Sequence, residues 1–538
     1  MPAPARRLGL ARGLATAPRR RLVYPWPMRG NGKMWAHRIP PPATLLLVAL
    51  VLAVLAAAAL PGPAAAKPSL YRPWLASFVL DPDAGPGEQF GYAPAYTRNV
   101  PTFDSLDRPY IRSRTSDRDY TSFVHTLGDL GWERRGFLPA LRAAYPDFSA
   151  TVGGGGGLSD RVVFDRYDRA YSPLRIRLRD GSSRNVLLVS LDLCRTWSVV
   201  PLPADSFVTE TWTGHNALEG PPFLAFWSRT DYSAPRRSQW NTLWVTQPTF
   251  DGDRVVVPEP TLVTADSLGL SRISGGSSFA ATVDGTTYFT WPGATPYDDD
   301  GVPIMIAAYD HATGTVGPPV ELARVPADDD LHVKPGVCLD SQGYIHVVTG
   351  AHGGEFLYTR SREPLRVDAG WTDPEPVLDD GYIDETTGEH EARQTYLSFV
   401  CDSRDVLHIV FRQWRRASDP YHWGESYGAL SYQRKPPGRP WSKARVLVVA
   451  AHPGYSIFYH KLGMDHGDRL FLTLSYAGGD EIQDSKDRRA RWRILANDEI
   501  QRGQYRRRML LVSDDHGVSW RLATTPDLAA GIDWPVSP

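Results

Sequence analysis

Six side chains able to move protons or hold an anion fall at one point of a repeating pattern. His332 and His352 bracket one pair of apolar segments, Tyr396 and Arg412 bracket the next, and Tyr455 and Tyr459 precede the one after. Lys334 adds a cation two residues past His332. Histidine and tyrosine exchange protons, and the planar fork of arginine neutralises and orients a carboxylate. Together these parts suit eliminative cleavage of a uronic-acid polysaccharide. Neutralising the carboxylate acidifies the proton on C5, a base removes it, and an acid protonates the departing glycosidic oxygen. That chemistry requires no metal and no nucleophile, so no cofactor is expected for it. A single histidine at a strand end is ordinarily a solvated or hydrogen-bonded surface residue. What sets this group apart is that three consecutive units place it at the same point.

The units that must position these residues repeat about every sixty residues. In each, an apolar segment runs into an Asp-led turn and a second apolar segment returns. The turn aspartates are Asp104, Asp165, Asp284, Asp340, Asp402 and Asp465. The interval from Asp165 to Asp284 is twice the others, which places a weaker copy near Pro222–Trp227. Gly 47 and Pro 46, with abundant Trp, Tyr and Phe, fit many short strands joined by turns. Seven units of four strands predict an all-β chain, a seven-bladed β-propeller with four-stranded antiparallel blades. The first blade is expected near residues 90–148, and any helix is expected in a loop such as Gly136–Ala144.

Two segments carry an Asp-box pattern, in which a serine, an aspartate, a glycine and a tryptophan stabilise a hairpin. Ser513, Asp515, Gly517, Ser519 and Trp520 complete it, while Ser190, Asp192, Thr196 and Trp197 match with Cys194 in the glycine place. The blades thus carry degenerate Asp boxes, which are structural and mark no active site. The antiparallel hairpin also sorts the two ends of every blade. Residues before the first strand and after the second share one end, and the Asp turns occupy the other. The six candidate residues therefore gather on one rim of the ring. His346 and His408, in matching mid-strand positions, are expected to pack between blades. The Arg502–Arg508 stretch is expected to be a solvated insertion.

Residues 1–42 hold nine Lys or Arg and no Asp or Glu, and Ala43–Leu60 has no charge. With the small residues up to Ala66, this describes a secretory signal peptide in residues 1–66, ahead of a single catalytic propeller in 67–538. A retained N-terminal anchor is the alternative, since about 18 apolar residues can just span a bilayer. Without the leader the net charge moves from −1 to −10. An acidic exported chain is a poor partner for nucleic acid, and an anionic substrate must meet a local basic pocket built by Arg412 and Lys334. A monomer is expected, with no membrane partner unless the leader is retained. Three cysteines, Cys194, Cys338 and Cys401, lack metal-type spacing and cannot all pair internally. Acidic loops such as Asp298–Asp300 could hold a structural calcium, but no ligand set is readable.

Asp340–His352, followed by Phe356–Ser361 and Gly370–Pro374, resembles the BNR-repeat polysaccharide lyases that include propeller-type ulvan lyases. The likeness is densest over Asp328–Ala477. It implies catalytic roles for His332, His352, Tyr396 and Arg412, with Tyr455 or Tyr459 added at the substrate; Lys334 departs from the family's pattern and is expected to meet a sulfate. It also implies β-elimination of a sulfated, ulvan-like uronate polymer. One alternative is a glycan-binding propeller without catalysis. Another is a sialidase-type hydrolase, weakened because the chain's one Arg-Ile-Pro, Arg38–Pro40, lies ahead of the apolar leader. The leader predicts that protein recovered from the exterior of an exporting cell begins near Lys67. Intact-mass measurement reading a start upstream of Ala43 would replace cleavage with anchoring.

Overall fold

The computed structural model describes residues 100–533 except 115–121, 129–130, 152–161, 204–206, 210–218, 229–241, 269–278, 294–300, 327–332, 378–392, 416–426, 450–456, 478–505 and 524. The leader and the acidic loop Asp298–Asp300 lie outside the described residues.

Seven antiparallel sheets, each built on four strands, follow one another along the described chain, and a separate two-stranded hairpin, Thr249–Asp251 with Arg254–Val256, lies within the third unit. Blade one runs from Thr102–Phe103 to Gly131–Gly136, and blade two from Val163–Phe164 to Ser198–Pro201. Blade three spans Phe207–Thr209 to Thr261–Thr264, and blade four Ala280–Val283 to Val320–Val325. Blades five, six and seven begin with Gly336–Leu339, Gln394–Cys401 and Ile457–Met464. The doubled interval is the third blade, whose second strand is Leu224–Ser228. Its first two strands lack the tight Asp turn, which is why the sequence repeat fades there. A helix at Leu138–Ala144 leaves blade one and buries Leu141 beneath blade two.

Each neighbouring pair of blades shares an apolar cluster. Tyr110 and Val124 meet Phe164 and Ala170 between blades one and two. Val400 and Val410 meet Leu462 and Leu472 between six and seven. Phe103 and Ile111 of blade one meet Phe471, Leu510 and Val512 of blade seven, so the last blade packs on the first. That closes a seven-bladed propeller. Strands alternate their side chains between two faces, and both faces are apolar because each blade is sandwiched by two others.

The Asp turns supply the polar half of this assembly. Asp165 Oδ1 accepts the amides of Tyr167 (2.9 Å) and Arg169 (3.0 Å), and Asp402 Oδ1 those of Arg404 (2.9 Å) and Val406 (2.8 Å). Three residues on, the chain turns through positive φ at Asp107, Asp168, Asp405 and Asp468, where a short polar side chain is tolerated. The carboxylate so presented reaches back to the preceding blade. Asp168 takes the Ser105 amide at 2.7 Å and hydroxyl at 2.8 Å, and Asp405 takes both from Ser341 at 2.6 Å. Asp468 takes both from Ser403, the amide at 3.0 Å. At the closing seam His466 replaces serine and gives Asp107 its amide (2.8 Å) and Nδ1 (2.7 Å).

His346 and His408 do not simply pack between blades. Each bridges its own turn aspartate, at 3.1 Å to Asp340 and Asp402, and a tyrosine of the third strand, at 2.8 Å to Tyr358 and Tyr432. Burial raises the Asp402 carboxyl, but hydrogen bonds from His408 and then the Val406 amide and His516 outweigh it and hold it at about 2. The Arg502–Arg508 stretch is not wholly an insertion either, since Arg506–Ser513 is the third strand of blade seven. Both Asp boxes form alike: Ser190 and Ser513 hydroxyls donate to Asp192 and Asp515 at 2.8 Å. Cys194 adopts φ +68 in the glycine place, whereas a Cβ on Gly517 would lie 1.6 Å from the Tyr432 hydroxyl. All three cysteines are free and buried.

The hydrogen bond to Asp107 raises the His466 pKa above its ordinary 6.5. The stabilisation is therefore complete below pH 6.5 and is lost as pH rises through the raised value. Unfolding midpoints of the wild type and His466→Ser, compared from pH 6 to 9, should converge with rising pH. A constant gap would mean that the closing contact does not titrate.

Candidate functional site

Blade six departs from the four-strand plan in a way that builds the site. After the second strand of blade five the chain crosses over, and His352–Gly354 joins the next blade's sheet as an added inner strand. The sequence had placed His352 at the end of blade five; its backbone instead pairs with blade six. Gly350 makes the crossover possible, with φ +67 and a position where a Cβ would sit 2.2 Å from the Lys334 carbonyl. Gln394 fixes the excursion from inside. Its Oε1 accepts the Phe356 amide at 2.7 Å, and its Nε2 donates to the Val377 carbonyl at 3.1 Å. The Gly353 amide adds a bond to Thr395 Oγ1 at 3.0 Å.

This pairing sets His352 opposite Thr395 and Thr395 opposite Arg412. Directly paired residues of adjacent strands share a face. His352 and Arg412 thus stand on one face with one strand between them, about 10 Å apart by backbone. Just past Thr395 a bulge sets Tyr396 and Leu397 against Phe411 alone. Tyr396 adopts φ +61, a conformation that costs a non-glycine residue about 1–3 kcal/mol. The bulge turns its ring between the two neighbours. The Arg412 Cζ lies 4.3 Å from the Tyr396 ring centre, and the His352 ring 6.1 Å from it. Trp414, two residues beyond Arg412, brings a second ring to 5.2 Å from the same guanidinium.

Blade seven repeats the device. Tyr459 and His460 form a bulge opposite Leu474, so the backbone of Tyr459 takes the place of Tyr396. Both tyrosines stand six residues before their turn aspartates, and Lys334 stands six before Asp340. His460 is wholly buried and its Nε2 donates to the Val410 carbonyl at 3.0 Å. Burial foremost, with Lys461 and Arg412 nearby, pushes its pKa down to about 3, so it is neutral at working pH.

The structure therefore brings together three expected residues, His352, Tyr396 and Arg412. His332, Tyr455 and the side chain of Tyr459 lie outside the described residues. Lys334 is half-buried, its backbone against Gly350. Arg412, expected to build a basic pocket, is only 2% exposed, with the rings of Tyr396 and Trp414 against its guanidinium. Sequence reasoning missed Trp414, Gln394 and His460. Trp414 and His460 share the relevant strands with quoted residues, but only the register reveals what they touch. Among the described residues no cluster of His, Cys, Asp or Glu could hold a metal ion, and no helix is long and apolar enough to cross a membrane.

Residues 286–533 match the model of a BNR repeat-containing family. That stretch runs through blades four to seven and contains every described residue of the cluster. Similar solved structures include an ulvan lyase described as a new polysaccharide lyase family, at 17% identity and TM-score 0.32, covering 48% of this chain and 58% of that one. A Trypanosoma rangeli sialidase in complex with sialic acid shows 13% identity and TM-score 0.33, covering 69% and 57%. The α-L-arabinofuranosidase of Podospora anserina shows 15% and 0.27, covering 47% and 69%. The chain spans less than two thirds of the length of that lyase and that sialidase. Likenesses of this degree to three different chemistries carry no argument about which one operates here. No curated protein matches the chain.

Buried neutral His460 predicts an acid-sensitive rim. The unfolded chain takes up its proton near pH 6.5 and the folded one only near 3, so stability falls as pH drops through that window. At pH 4.5, two units below the unfolded value, the effect should reach about 3 kcal/mol. His460→Gln keeps a donor for Val410 and should flatten the acid limb of the urea midpoint. An unchanged limb would place the titration elsewhere.

Proposed function

We propose that this protein is a secreted polysaccharide lyase that cleaves a uronic-acid polymer, sulfated and ulvan-like, by β-elimination. The observation that carries the reading is the row His352–Thr395–Arg412 with Tyr396 set between its ends by the bulge. A base, an acid and a permanent cation within one or two strands of each other are the parts the reaction needs. Arg412 meets the uronate carboxylate and lowers the cost of negative charge developing at C5 and the carboxylate. His352, with His332, removes the C5 proton. The electron pair forms a C4–C5 double bond, the glycosidic oxygen leaves with its bonding pair, and Tyr396 protonates it. The Tyr396 phenol beside Arg412 is stabilised as it gives up that proton, since a neighbouring cation favours the phenolate. Tyr455 and Tyr459 border the neighbouring sugar, and Lys334 meets a sulfate. No metal or cofactor enters this scheme, and the protein acts as a monomer outside the cell.

A glycan-binding propeller without catalysis is the second reading, favoured by the half-exposed indole of Trp414. One assay separates the two. Incubation with ulvan and other uronate polysaccharides should generate ultraviolet absorbance from the conjugated unsaturated uronate. Hydrolysis would raise reducing ends without it, and simple binding would produce neither. Arg412→Ala, His352→Ala, His332→Ala and Tyr396→Phe should each retain the fold and lose about 10²–10⁴ in rate. Near-wild-type absorbance gain in all four would remove the catalytic role from this cluster.

A further inference from the structure

We propose that Trp414 is a positioning residue that holds the Arg412 guanidinium against Tyr396 and keeps water from it, an inference that rests on the reading of Arg412 as the carboxylate partner. The second strand of blade six, Leu407–Arg415, runs outward from its Asp turn, so Trp414 stands one residue pair nearer the rim than Arg412. Residues two apart in a strand share a face, and Trp414 therefore overhangs Arg412 on the side from which a polymer approaches. Its ring lies within cation–π reach of the guanidinium, at 5.2 Å, as does that of Tyr396, at 4.3 Å. Trp414 is itself half-buried while Arg412 beneath it is 2% exposed.

The arrangement has a chemical consequence. An arginine on a long flexible stem would hold its charge in water, where attraction for a carboxylate is weak. Two rings against the guanidinium replace water with polarisable carbon and restrict its orientation, while its N–H donors, which lie in the plane of the group, keep their direction. A carboxylate arriving there meets a cation whose field is little screened. The planar fork held in this way suits bidentate pairing with a planar carboxylate.

The test compares Trp414→Ala and Trp414→Phe with the wild type in two measurements. The first is the rate at which phenylglyoxal modifies Arg412, followed by peptide mass mapping. Removing the indole should speed modification several-fold, and the phenyl ring should restore much of the protection. The second is the kinetics of unsaturated-product formation, together with Arg412→Lys and the double variants. Trp414→Ala should lower kcat/KM about tenfold, and the loss should shrink in the Arg412→Lys background, because the two act as one unit. An unchanged modification rate, or losses that add fully, would overturn the assignment. If the wild type forms no unsaturated product, the lyase reading fails, and the modification rates alone still decide whether Trp414 holds Arg412.

Discussion

The carboxylate at each hairpin turn is the constraint on which the rest of the molecule depends. One of its oxygens accepts two amides of its own turn, as at Asp165 and Asp402, and this fixes where the second strand begins. The other is met by a donor from the strand that follows, Arg169 on Asp165 at 2.6 Å or His408 on Asp402 at 3.1 Å. A second aspartate three residues on then ties each such blade to the one before. These bonds involve charged acceptors, which are about twice as strong as neutral ones. Apolar packing between blades supplies most of the cohesion but is indifferent to small slips along the strands. The aspartates remove that freedom. With the far ends of blades five, six and seven locked in register, the rim residues at the near ends are placed by strand length alone.

The cluster at the rim comes from local breaks in that regularity. A regular first strand would send Tyr396 and Thr395 to opposite faces, and Tyr396 could not reach Arg412. The bulge at Tyr396–Leu397 adds one residue and redirects the ring, at the cost of a strained φ. Blade seven makes the same break, and there His460 uses it to reach the Val410 carbonyl, two residues from Arg412. The site is thus braced from both neighbouring blades: Gln394 secures the strand that carries His352, and His460 secures the strand that carries Arg412. Neither brace need touch a substrate to matter, since small displacements of a catalytic group are costly in rate.

The architecture was legible in the sequence because its determinants are local. Asp turns, Asp boxes and apolar runs each occupy a few consecutive residues and recur, so seven units could be counted, including the third from a doubled interval. His352, Tyr396 and Arg412, the described part of the expected set, could be grouped because each flanks the strands of an Asp hairpin. What escaped depends on pairing between distant segments. That His352 leaves its own blade is settled by Gly350, Gln394 and Thr395 together, which lie more than forty residues apart. The hydrogen-bonded roles of His346 and His408 needed tyrosines from the third strands, and the covering of Arg412 needed the register of a bulge. None of these leaves a period in the sequence.

Among the described residues, the turn aspartates and the candidate cluster stand at opposite ends of the blades. The aspartates that hold the turns, among them Asp104, Asp165, Asp340, Asp402 and Asp465, stand at the ends of the blades away from the rim. Asp192 and Asp515 of the Asp boxes lie at those same ends. Most of these carboxylates are engaged by amides, arginines or histidines, which spends their field locally. At the opposite end the described cluster holds a buried arginine, with Lys461 beside His460. The length of the strands separates these two cations from the turn aspartates. Separation beyond the screening length of about 8 Å at physiological ionic strength removes most of the repulsion from the far face. Carboxylates engaged in building the turns in this way contribute little field at the opposite end of the blade.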